Sequence, residues 1–176
     1  MYYKKFITFL KEHNLYDEEI LEYWKNNKLM FDYRDDEKRE LIGCFYKIEN
    51  NILKEIKIIV PFFDNDKTVL INIHEYVHLL LIYPQMGKEY EPGIDKEILP
   101  IFFEKIYLKE NETKELLKYY TYLTNFINTQ SEEDYIIALN ISDKLIKTYN
   151  NDNINKLTQK SKKLVKKYKI AHNNNK

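Results

Sequence analysis

The spacing of apolar positions predicts helices at the start of the chain. Phe6, Phe9 and Leu10 share one face of Tyr2–His13, and Ile20, Leu21 and Trp24 share one face of Glu18–Asn26, where Asp17 offers an N-cap. The period then changes. Leu41–Ile48 and Ile52–Val60 are rich in β-branched and aromatic residues, and Ile56, Ile58 and Val60 alternate with polar positions Glu55 and Lys57. With Glu49-Asn50-Asn51 between them, the two runs read as a β-hairpin ended by Pro61. From about Lys67 to Tyr83 the chain is apolar almost all round, which predicts a buried central helix capped by Asp64 or Asp66. Pro84-Gln-Met-Gly87 breaks it, and Lys88–Gly93 reads as a loop. A further helix behind Asp95 carries Glu97 and Glu104. Helix-like segments follow at Glu112–Asn128, Ser131–Tyr149 (Ser131 as cap before acidic residues) and Asn153–Lys169, and the tail Asn173–Lys176 is expected to be disordered.

These elements make an α+β fold, mostly helical with a small β-hairpin or sheet. A single domain is expected over residues 1–172: a helical N-terminal segment (1–40), the hairpin (41–60), two central helices (66–109) and C-terminal helices (112–170). The N-terminal segment, with its charge run Tyr33–Glu40, is expected to pack as ordinary helical structure; a lid or pro-segment is the alternative. Three Gly and four Pro in 176 residues favour long helices over tight turns.

Charge removes two classes of partner. The formal net charge is +0, so the whole-chain field draws the protein to neither nucleic acid nor an anionic membrane. The basic stretch Lys160–Lys169 is interleaved with Leu164, Val165 and Tyr168, as on a solvated amphipathic helix. No run reaches transmembrane length and no signal-peptide core is present, so a cytoplasmic location is expected, with leaderless export open. The single cysteine, Cys44, forbids an intrachain disulfide and is expected to be a buried, inert thiol. Oligomeric state leaves no trace in the sequence.

Inside the central apolar helix stands His74-Glu75-Tyr76-Val77-His78, the pattern His-Glu-x-x-His. Residues four apart on a helix lie one turn apart on one face, so both imidazoles can hold one Zn2+ and Glu75 can act on a metal-activated water. With 4 His and 18 Glu among 176 residues, chance produces the pattern about one time in a hundred. A catalytic zinc wants three protein ligands and an open position. Glu97, beyond eighteen intervening residues, and Glu104, two turns later on the same face, are the candidates for the third ligand. A His-rich alternative fails, because no third His follows until His172.

At this point the chain resembles the gluzincin metallopeptidases, the thermolysin and aminopeptidase N-like group, in which a Glu ligand follows His-Glu-x-x-His at about this distance. Glu97-Ile-Leu-Pro-Ile-Phe-Phe-Glu104 is similar to the Glu-x-x-Ala-x-x-x-Glu stretch of the aminopeptidase type, and a comparable Glu-helix occurs in ImmA/IrrE-like regulatory peptidases. The resemblance covers roughly residues 52–108. It departs from the pattern at Ile98 and Pro100, and Pro100 is expected to start the helix late, leaving Glu97 on its first turn.

The resemblance implies a zinc-dependent peptidase acting on a peptide or protein substrate. Zinc would be held by His74, His78 and Glu97, with Glu75 as general base, Glu104 orienting a ligand His, and a Tyr or His steadying the oxyanion, for which Tyr83, Tyr90 and Tyr119 are candidates. Ile52–Val60 is the expected edge for an extended substrate. Two alternatives stay open: a regulatory peptidase that cuts one partner protein, and a catalytically inactive metal-binding interaction protein.

Overall fold

The computed structural model describes residues 1–32, 42–91, 95–114, 116–118 and 133–174. The charge run Tyr33–Glu40, Tyr119, most of the Glu112–Asn128 helix and the Ser131 cap lie outside these residues. Helices α1 (Tyr2–Glu12) and α2 (Glu18–Asn27) lead into strand β1 (Lys28–Phe31), followed by β2 (Gly43–Glu49) and β3 (Ile52–Pro61). Then come α3 (Asp66–Ile82), a 3-10 turn (Tyr83–Gln85), α4 (Asp95–Glu110), α5 (Glu133–Lys147) and α6 (Ile154–Asn174). The fold is α+β and mostly helical, with a three-stranded sheet ordered β1-β3-β2.

The hairpin turns on Asn50 and Asn51, at φ 52° and 65°. Both central residues of such a two-residue turn must be left-handed, and Asn tolerates that region better than other non-glycine residues. β2 runs antiparallel to β3, pairing Cys44 with Ile58 and Tyr46 with Ile56. β1 was not expected from the sequence. It is a four-residue strand parallel to β3, registering Lys28 against Ile58 and Phe31 against Pro61. Residues 87–90 close on the other end of β3, with Gly87 N 2.9 Å from Leu53 O and Leu53 N 2.9 Å from Lys88 O. β3 is therefore the central strand, which overturns the expectation that it offers an edge to substrate.

Helix α3 is capped by Asn65, not by its neighbours Asp64 or Asp66. The Asn65 side chain accepts from Thr68 N at 3.0 Å while Thr68 Oγ1 accepts from Asn65 N at 3.1 Å, a reciprocal capping box. Asp66 instead takes Lys5 Nζ at 3.0 Å and the Tyr107 hydroxyl at 2.7 Å, tying α1 and α4 to the start of α3. Buried Asn72 donates to Pro61 O at 3.1 Å and Thr68 O at 2.8 Å, which fixes α3 against the end of β3.

The N-terminal helices are core. Phe6 stacks on Trp24 with ring centres 5.2 Å apart and meets Tyr76 edge-on at 5.6 Å, all three rings fully buried. Tyr76 stands two residues from both His74 and His78, about 200° around the helix, so α1 and α2 cover the face of α3 opposite the imidazoles. Residues 1–32 thus back the helix instead of lidding its polar face. On the other side α4 packs along α3, and α5 and α6 pack outside α4. The α4 helix begins at Asp95, not near Pro100. The missing Pro100 N–H would have bonded Lys96, the second residue of the helix, so the loss falls where the backbone has most room to adjust. At the C-terminus α6 continues through Asn174, so Asn173 and Asn174 are helical, contrary to the disorder expected there. Among the described residues no helix is long and apolar enough to cross a membrane.

Candidate metal centre

Helices α3 and α4 lie antiparallel, since the start of α3 meets Tyr107 and its later turns meet Glu97. This crossing brings the predicted ligands together. His78 Nε2 lies 3.1 Å from His74 Nε2, and Glu97 Oε2 lies 3.7 Å from His74 Nε2 and 3.3 Å from His78 Nε2. Tetrahedral ligands at zinc bond lengths of 2.0–2.1 Å stand about 3.3–3.4 Å apart, inside that range. A point about 2.1 Å from all three atoms lies roughly 0.75 Å off their plane, close to a tetrahedral ion with one position open. Two facing imidazole nitrogens and a carboxylate oxygen are a donor set a divalent ion fits.

Glu104 sits elsewhere in the cluster. Its Oε1 is 2.5 Å from His74 Nδ1, the nitrogen turned away from the other ligands, and its side chain is 10% exposed. The approach is close, off the line of an ideal hydrogen bond, and Glu104 acts on the ring first through its charge and then through this contact. Seven residues separate Glu97 from Glu104, nearly two full turns, so one imidazole spans both carboxylates through its two nitrogens. Glu97 is the carboxylate that joins the two imidazoles in a group that could hold a metal ion, and Glu104 lies behind His74.

Electrostatics follow from this crowding. Burial alone would push the His74 imidazole down, but Glu104, with help from Glu75 and Glu97, outweighs it and raises His74 to about 10. Burial would raise Glu97, yet His78 and then His74 hold it down at about 2. The Glu97 side chain keeps 44% of its surface, so solvent tempers that depression. Glu75 is raised by burial, opposed by His74 and His78 and reinforced by the carboxylates of Glu97 and Glu104. It is 7% exposed, and the charged groups that act on it are His74, His78, Glu97 and Glu104. A carboxylate that is buried and raised in pKa is suited to take and return a proton.

Tyr83 donates to Glu19 at 2.9 Å, on the side of α3 away from the His pair, and so is not a site residue. Tyr90 is buried with its ring against Tyr46, centres 5.2 Å apart. Strand β2 supplies two neighbours that sequence reasoning did not assign to the site. Burial, then Glu75 and Glu97, raises the Cys44 thiol, which accords with the inert thiol expected, although the residue is partly rather than fully buried. Burial, then Glu97, raises the Tyr46 hydroxyl. Cys44, Tyr46 and Ile48 share one face of β2, opposite Ile58, Ile56 and Leu53, and that alternation was the only signal available. Comparison with protein-family models, with curated proteins and with solved structures finds no match for this chain.

Proposed function

We propose that the chain is a zinc-dependent peptidase, working in the cytoplasm, with His74, His78 and Glu97 as ligands and Glu75 as general base. The observation that carries this reading is the triangle of His74 Nε2, His78 Nε2 and Glu97 Oε2 at 3.1, 3.3 and 3.7 Å, with the buried Glu75 carboxylate on the helix of the two histidines. A zinc ion held there supplies Lewis acidity, polarising a carbonyl and lowering the pKa of water towards about 7. Glu75 takes the proton of the attacking water and delivers it to the leaving amine. Glu104 keeps His74 turned so that Nε2 faces the ligand position. Tyr46, half-exposed on β2 and within the field of Glu97, replaces Tyr83 as the candidate to steady the oxyanion. The outer side of β2 replaces β3 as the edge along which an extended peptide can pair, because β3 is flanked on both sides.

The test is metal content and peptide cleavage for the wild type and Glu75→Gln side by side. The same zinc content in both proteins, including the equivalent that depends on His74 and His78, with cleavage only by the wild type, supports the reading. Zinc in both with no cleavage of a broad peptide library defeats a general peptidase. That result would turn the search to a single partner substrate or a binding role.

A further inference from the structure

Away from the His74–His78 centre, a second group of ligand-type side chains converges. Glu12 ends α1, His13 caps it, and Glu110 is the last residue of α4. Each offers one ligand atom, and the three atoms lie within 4.8 Å of one another. Glu12 and Glu110 are exposed to solvent, but His13 is only 4% exposed. Its Nδ1 is 2.7 Å from the Tyr149 hydroxyl. Its Nε2 lies 2.8 Å from Glu110 Oε1, off the line of a hydrogen bond. If Nδ1–H donates to Tyr149, an unprotonated Nε2 stands against a carboxylate oxygen, and that contact is repulsive unless a second proton or a metal cation joins them. A cation needs the pair only slightly wider, about 3.3 Å, and both glutamates sit at helix ends where they can move. A cleft of about 430 Å³ opens beside Glu12 and Glu110, giving an ion and its water ligands a route in.

We propose that Glu12, His13 and Glu110 form a second divalent-cation site, independent of the peptidase reading. One imidazole and two carboxylates suit zinc or a neighbouring first-row ion. Tyr149 would orient His13 as the outer partner of a metal-bound imidazole does. The ion would staple the end of α1 to the end of α4, the helix that carries Glu97 and Glu104. The rival arrangement uses a proton only: the Tyr149 hydroxyl donates to Nδ1, and Nε2–H is shared with Glu110.

The experiment is calorimetric titration of the metal-stripped full chain with ZnCl2 and, separately, CoCl2. The wild type is expected to take two equivalents. Glu12→Gln and Glu110→Gln, which preserve side-chain volume at exposed positions, should each take one. A His74→Ala/His78→Ala protein should keep the equivalent that those two variants lose. Zinc should then raise the thermal midpoint of that double variant, and adding Glu110→Gln should abolish the rise. A double variant that takes no zinc would overturn the second site, and so would an equivalent that persists through both glutamine changes. Failure of the peptidase reading would instead appear as loss of the equivalent that depends on His74 and His78.

Discussion

Replacing Glu75 with glutamine should stabilise the metal-free protein at neutral pH while removing its hydrolytic activity. Glu75 is 7% exposed, and burial raises its pKa above the ordinary carboxylate value of 4.5. The folded state therefore binds more protons than the unfolded state as pH rises above about 4.5, so this group lowers stability with increasing pH. Glutamine keeps the shape and removes the charge. A buried ion costs several kcal/mol, but His74 and His78 offset part of that here, leaving an expected gain of about 1–2 kcal/mol near pH 8. For a chain of 176 residues that corresponds to about 2–8 °C in Tm. The assay is thermal unfolding of chelator-treated wild type and variant from pH 4.5 to pH 8. The gap should be near zero at the acid end and widen with pH. Peptide cleavage by the zinc-loaded variant should fall by about 10²–10⁴-fold. A variant no more stable than wild type at pH 8, or a gap that ignores pH, would refute the claim that Glu75 is held as a costly, buried carboxylate.

Four further outcomes are expected. Zinc affinity measured by chelator competition should rise about tenfold per pH unit between about pH 7 and pH 9, because His74, raised to about 10, must give up the proton on its metal-facing nitrogen. Glu104→Gln should flatten that slope and weaken zinc binding about 10–100-fold at the alkaline end, whereas Glu97→Ala should weaken it further at every pH. Phe6→Ala should cost about 3–5 kcal/mol in urea unfolding without raising activity, since Phe6 is fully buried against Trp24 and Tyr76 and is not part of a lid. Asn51→Val should cost about 1–2 kcal/mol because its φ is 65°, while Asn51→Gly should be nearly neutral.

What was legible in the sequence was local or periodic. The hairpin, the buried α3 helix and the shared face of His74 and His78 follow from alternation and helical spacing, whereas Glu97 was expected beside them only through the resemblance to the gluzincin pattern. The β1 strand was not legible, because Lys28–Phe31 is too short to show a period and is held by pairing with residues some thirty positions later. The cap of α3 was misplaced by one residue because Asp64, Asn65 and Asp66 all have capping chemistry, and tertiary contacts to Lys5 and Tyr107 claim Asp66. Strand β3 looked like an edge for the same reason that β1 went unseen. The cluster at His13 joins residues from opposite ends of the chain, with Tyr149 lying 136 positions away, and no local pattern marks such a meeting.

The most direct test is the coordination shell of the zinc-loaded protein, read by X-ray absorption or from an anomalous map of a crystal. The account predicts an ion at about 2.0–2.2 Å from His74 Nε2, His78 Nε2 and a Glu97 oxygen, with a fourth position open to water and Glu104 on His74 Nδ1. An ion ligated by Glu104 in place of Glu97, or none at the two histidines under saturating zinc, would contradict it.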